Sequence, residues 1–147
     1  MKQFIQTPGI HVTPNVDYLN FDIDDPANYR RSVYRFIFRT IPDPFMESLD
    51  CPDSSQLTPK RNVSLTAIQA LATLNDKFVI RQSELLADNL QSITDSKAEQ
   101  LTLLWHRLYS RPPRPEELSS VLAYTAKHGL ANTCRFLFNT NEFLFVD

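Results

Sequence analysis

Apolar residues fall at helical spacing through most of the second half of the chain. From Ser64 onward they occur at Leu65, Ile68, Leu71 and Ala72, then at Phe78 and Val79, then at Leu85, Leu86 and Leu90. The spacing predicts a helix that ends at Asn75-Asp76, where short polar side chains compete for the backbone, and a second helix running to about Gln91. Thr66 and Gln69 stand at capping-box spacing, with Ser64 as the alternative cap. A third helix, from about Asp95 to Ser110, would bury Leu101, Leu104, Trp105 and Leu108 and stop at Arg111-Pro112-Pro113. Pro115 suits a first turn, where its missing N–H costs nothing, and Glu116 and Glu117 behind it complement the positive end of the helix dipole. That fourth helix is expected to end near His128, with Gly129 as a left-handed cap. A fifth, from about Leu130 to Asn139, carries Leu130, Thr133, Cys134, Leu137 and Phe138 on one flank. The closing FLFVD alternates and is expected to be extended.

The first half reads differently. Up to about Asn28 no period persists, and Pro8, Gly9, Pro14 and Pro26 punctuate an irregular arm. YRRSVYRFIFRTIPDPF then fits two templates. In a strand Tyr34, Phe36 and Phe38 share one face and Arg31, Val33, Arg35, Ile37 and Arg39 the other, whereas in a helix Arg31, Arg35 and Arg39 form a stripe. The β-branched and aromatic content and the early stop at Pro42 and Pro44 favour the strand. Pro44 to Leu49 is expected to form a single helical turn before the loop DCPDSSQLTPKRN. The fold class that follows is mainly α: an orthogonal bundle of about five helices with an irregular N-terminal segment open to short strands. Residues 1–28 form the arm and 29–147 a single helical domain.

Composition narrows the function classes. At 147 residues one domain can bury roughly 68–70% of its unfolded surface without metal or disulfide staples. Only two glycines are present, Gly9 and Gly129, so neither a dinucleotide-binding turn, nor a P-loop, nor a serine-hydrolase elbow can be written. Fifteen basic residues against seventeen acidic ones give a net charge of −2, without the basic footprint of a nucleic-acid or anionic-membrane binder. No stretch has transmembrane length, and the first twenty residues lack a signal-peptide core, so expression as written implies the cytoplasm. Cys51 and Cys134 stand far apart, outside any C-x-x-C, and read as free thiols.

Candidate chemistry is sparse. His11, His106 and His128 form no i, i+3 or i, i+4 pair, so no helical metal site is indicated, and His106 is expected at the core boundary beside Trp105. Asp17, Asp22, Asp24 and Asp25 lack the glycine and distal glutamate of a calcium loop and read as turn acids. Glu116 and Glu117 are adjacent on a helix and do not face each other. Cys51 has no obvious neighbour to lower its pKa. The richest set is Arg30, Arg31, Arg35, Arg39, Lys60 and Arg61, interleaved with Asp43, Glu47, Asp50 and Asp53. Its architectural reading is arginine–carboxylate fastening of irregular loops. Its functional reading is an anion or sugar-acid site lined by those arginines, with Tyr34 stacking nearby, and for an enzyme acting on acidic polysaccharide the lining would be Arg31, Arg35, Arg61 and Asp50.

Five separated motifs, RRSVYRFIFRTIPDPF, ESLDCPD, TPKRNVSLTAIQALATLND, LYSRPPRPEEL and LFNTNEFLFVD, together resemble the planctomycete-specific domain of unknown function over about Tyr29 to Asp147. That module lies towards the C-terminus of large exported proteins that often carry c-type cytochrome-like domains. Its arginine pair and tyrosine resemble Arg30, Arg31 and Tyr34, and its aspartate before a proline turn resembles Asp50. Its central motif resembles Arg61, Asn62, Gln69, Ala70, Leu71 and Asn75, and its closing motif Asn141, Glu142 and Phe143. No catalytic role accompanies these positions. The resemblance implies an extracytoplasmic setting and a longer parent, although no signal and no heme-attaching C-x-x-C-H stands in this chain.

The expected function is therefore a non-catalytic interaction or scaffold module, with other domains of a longer parent or a separate protein as partner and no cofactor. The binding set is Arg31, Tyr34, Arg35, Asp50 and Arg61. The alternative is part of an extracytoplasmic enzyme acting on acidic polysaccharide, and an electron-transfer partner is a third reading.

Overall fold

Capping side chains set the starts of several helices in the computed structural model, which describes residues 22–31, 34, 42–52 and 66–145, residue 18, and the backbone at 4–5 and 15–16. The chain divides into two compact units, residues 1–69 and 70–147, the division falling within one helix.

In the first unit Phe4–Ile5 (β1) pairs antiparallel with Asn15–Val16 (β2), Phe4 opposite Val16. A 3-10 turn, Pro26–Asn28, follows Asp25, whose carboxylate accepts the Ala27 N–H at 2.9 Å. The first α-helix, α1 (Pro44–Ser48), is the expected single turn. Asp43 caps it by accepting the Phe45 N–H at 2.9 Å, and Pro44 occupies the first turn with no donor to satisfy. Beyond it Asp50 takes a left-handed conformation (φ 55°), and the Cys51 N–H turns back to the Met46 carbonyl at 3.1 Å.

The helix α2 (Ala67–Asn75) begins with the predicted capping box: Gln69 N–H donates to the Thr66 hydroxyl and Thr66 N–H to Gln69 Oε1, both at 3.2 Å. Asp76 then caps α3 (Lys77–Ile93) through the Phe78 and Val79 N–H groups at 2.9 and 3.2 Å. The remaining helices are α4 (Lys97–Tyr109), α5 (Pro115–His128), α6 (Leu130–Phe138) and α7 (Asn141–Leu144). The architecture is mainly α, with five helices of nine residues or more among the described residues.

In the second unit α3 packs on α6 and α4, α5 packs on α4 and α6, and α7 rests on α4 and α6. The core is Ala87 and Leu90 of α3, Leu101, Leu104 and Trp105 of α4, Val121 of α5, and Leu130, Cys134 and Leu137 of α6. Leu108 packs against it from the side. Buried polar groups are tied within this frame. Thr125 and Thr133 share a hydrogen bond at 2.9 Å, Thr125 lies 2.7 Å from the Val121 carbonyl, and Gln100 donates to the Thr94 carbonyl at 2.6 Å.

Several expectations differ from the structure. On α2 the apolar Ile68 and Leu71 are exposed while Gln69 and Thr73 are buried. Burial there follows partners rather than hydropathy: Gln69 Nε2 donates to Asp50 Oδ2 at 2.8 Å, and Thr73 bonds Asn139. Gly129 has positive φ as expected, but its φ 84° and ψ 162° are extended rather than helical, because it ends α5 and starts α6 at once. The tail continues as α7, whose Phe143 and Leu144 N–H groups both donate to the Thr140 carbonyl at 3.1 Å, and among the described tail residues only Phe145 is extended. His106 is exposed. Tyr34, expected on a strand face, sits in a 3-10 turn, its N–H donating to the Arg31 carbonyl at 2.9 Å; residues 32–33 and 35–41 of that expected strand lie outside the described residues.

Candidate functional site

Of the five binding residues read from the sequence, the described structure brings two together. The Tyr34 N–H donates to the Arg31 carbonyl, and both side chains are exposed, Tyr34 at 74% of its full exposure. Tyr29 and Arg30, at the close of the preceding 3-10 turn, are also exposed. Tyr29, Arg30, Arg31 and Tyr34 thus place two tyrosines and two arginines at exposed positions. Asp50 is half-buried and holds the amide of Gln69, which anchors the start of α2. Arg35 and Arg61 lie outside the described residues, as do Arg39, Lys60 and Asp53. Two acids from the interleaved set have structural tasks, Asp43 as the cap of α1 and Asp50 as the partner of Gln69.

The bidentate arginine geometry expected at the front is built instead by Arg111, between α4 and α5. Its Nη1 and Nη2 donate to the two carboxylate oxygens of Glu117, each at 2.9 Å, and Nε and Nη2 donate to the two oxygens of Glu142 at 2.6 and 2.7 Å. Nη1 also reaches the Pro112 carbonyl at 3.2 Å, so all five guanidinium N–H groups are engaged. Glu117 is held independently by the Arg114 N–H at 2.7 Å, the capping box of α5. The Arg111 guanidinium lies 5.7 Å from the centre of the Tyr109 ring, whose hydroxyl meets Thr140 at 2.8 Å. Two carboxylates around one cation leave the cluster with a net charge of −1.

Electrostatics follow this geometry. Hydrogen bonds from Arg111 hold Glu117 down to about 2 and lower Glu142, and the bonds to Glu142 and Glu117 raise Arg111 in turn. Burial raises the Tyr109 phenol. Both cysteines are free thiols. Burial pushes Cys134 up to about 12, which keeps it a protonated core residue rather than a nucleophile. Among the described residues no group of three His, Cys, Asp or Glu side chains could hold a metal ion, and no helix is long and apolar enough to cross a membrane.

Glu117 read locally as a helix-dipole acid; what was missed is its pairing with Arg111, six residues earlier across a proline turn, and the pairing of that same Arg111 with Glu142 far down the chain. The signal available was an arginine immediately before Pro112-Pro113 with a carboxylate at the third helical position. The family PSD1, a protein of unknown function (DUF1553), matches residues 5–125. The chain belongs to this family. The PSD1 match begins upstream of Tyr29 and takes in residues 29–34, Asp50, Arg111 and Glu117, but ends within α5, so Glu142 lies beyond it. No curated protein and no solved structure matches the chain.

Proposed function

We propose that this PSD1 domain is a non-catalytic interaction module of a larger extracytoplasmic protein, docking another domain of that parent or a separate protein. The observation that carries this reading is the outward display of Tyr29, Arg30, Arg31 and Tyr34. Tyrosine and arginine are the residue types that dominate binding energy at protein interfaces, because each combines large contact area with directional polar groups. A tyrosine at 74% exposure contributes little to the fold that holds it. The planctomycete-specific resemblance and its c-type cytochrome-like neighbours support a parent outside the cytoplasm.

A photoreactive phenylalanine analogue at position 34, in the full chain expressed in its host, tests this. A discrete crosslinked protein is expected, and its purified form should bind the wild-type chain at least tenfold more tightly than Tyr34→Ala or Arg31→Ala. Both variants should unfold within about 0.5 kcal/mol of wild type, as exposed positions do. Lowered stability would assign these residues to architecture, and an acidic-polysaccharide cleavage activity lost in Arg31→Ala would replace docking with catalysis.

A further inference from the structure

We infer that the turn between α4 and α5 is a receptor for the α7 segment, and that α7 of a second copy of this chain can fill it in place of the chain's own. This does not depend on residues 29–34. The receptor half is self-supporting: Arg111 is held in a fork by Glu117 and by the Pro112 carbonyl, and Glu117 is fixed by the Arg114 N–H. Removing α7 would leave the guanidinium paired with Glu117, its Nε N–H and one Nη2 N–H directed at the position of a carboxylate.

The inserted half is a four-residue helix near the chain end. It docks by the two Glu142 oxygens, by the Thr140–Tyr109 hydroxyl contact, and by Phe143 against Phe138 with ring centres 5.1 Å apart. Glu142 keeps nearly half its side-chain exposure, so the docked segment is only partly enclosed. The inserted helix is joined to α6 through Asn139 and Thr140 alone, and no glycine or proline occurs from Leu130 to Asp147. Straightening those two residues would extend α6 into α7 and carry Glu142 away from its own Arg111. A segment that exchanges between identical chains remakes the same Arg111–Glu142 and Tyr109–Thr140 contacts, so exchange is opposed mainly by association entropy. A linker this short keeps the internal contact at an effective concentration of about a millimolar or more, which holds the wild-type chain closed when dilute.

Two full-length variants separate receptor from insert. Glu142→Gln retains the Arg111 receptor and weakens its own insert; Arg111→Gln loses the receptor and frees a wild-type insert. Neither should self-associate, but mixed at about 100 μM, below the internal effective concentration, they should form a one-to-one complex by sedimentation velocity. That complex should weaken about tenfold on raising salt from 50 to 500 mM, as a half-exposed ion pair requires. Circular dichroism confirms that each variant is folded, and Arg111→Lys, which keeps the charge without the fork, serves as receptor-deficient partner if Arg111→Gln is not. Mixtures of folded variants that remain monomeric, or a complex that forms equally well between two Glu142→Gln chains, overturn the inference.

Discussion

Gly129 separates two kinds of positive-φ backbone, and a pair of substitutions distinguishes them. Its φ 84° and ψ 162° fall in a region accessible essentially to glycine alone, whereas Ser110, at φ 57° and ψ 21°, lies in the left-handed helical region that asparagine also tolerates. A Cβ built on Gly129 meets no atom within 4 Å, so a side chain there is opposed by backbone strain and not by packing. Strain of this class costs about 1–3 kcal/mol, and the reduced freedom of the unfolded chain returns about 0.4–1 kcal/mol. Gly129→Ala should therefore destabilise by about 1–2 kcal/mol, at about 4–8 °C per kcal/mol for a cooperative unit the size of residues 70–147. Gly129→Asn should match Ala at this position, while Ser110→Asn should be neutral or stabilising. Urea unfolding followed by circular dichroism at 222 nm reads all three. If Gly129→Asn is as stable as wild type, the α5–α6 junction is an ordinary left-handed cap and the extended geometry is wrong.

Leu104, fully buried among α4's core contacts, should lose about 2–5 kcal/mol on Leu104→Ala, measured by the same unfolding curve; a loss under about 1 kcal/mol would mean that the core is not closed around it. The Arg111 cluster sets a pH dependence. Glu117 has a folded pKa of about 2 against an ordinary 4.5, and Glu142 is lowered too, so their contribution is complete above about pH 4.5 and is lost as pH falls towards 2. The thermal midpoint of wild type should fall over that window more steeply than that of Arg111→Gln, and parallel curves would refute the pairing.

Elements whose signals are local were legible in the sequence. Asp76 between α2 and α3, the Thr66–Gln69 box, Pro115 at the start of α5 and the Leu101, Leu104, Trp105 stripe each act within a few residues of themselves, and the structure places each where its chemistry requires. Three features depend on distant partners and were not legible. Gln69 and Thr73 are buried in preference to Ile68 and Leu71 because Asp50 and Asn139 receive them. The tail folds into a helix because Thr140 and Glu142 find Tyr109 and Arg111, 31 residues back. At Gly129 the residue type announced positive φ, but ψ was decided by the need to begin α6 without an intervening loop.

Arginine shows why position in the fold, rather than clustering in sequence, assigns a role. The densest basic run, at residues 30–39 and 60–61, invited a single anion-binding site, yet its described members Arg30 and Arg31 point outward beside Tyr34, where a solvated guanidinium contributes little to stability. Arg111, followed directly by Pro112 and Pro113, has all five of its donors engaged and ties the start of α5 to α7. A guanidinium fork gains most when its acceptors are fixed by other means, as Glu117 is by the Arg114 N–H, because less side-chain freedom is then lost on pairing. The same reasoning separates the two surfaces in function. An arginine saturated by its own chain can recognise only a group that replaces one of its present partners, which restricts Arg111 to a carboxylate presented as Glu142 is. Arg30 and Arg31 are exposed, and the docking role proposed above falls to them and their tyrosine neighbours.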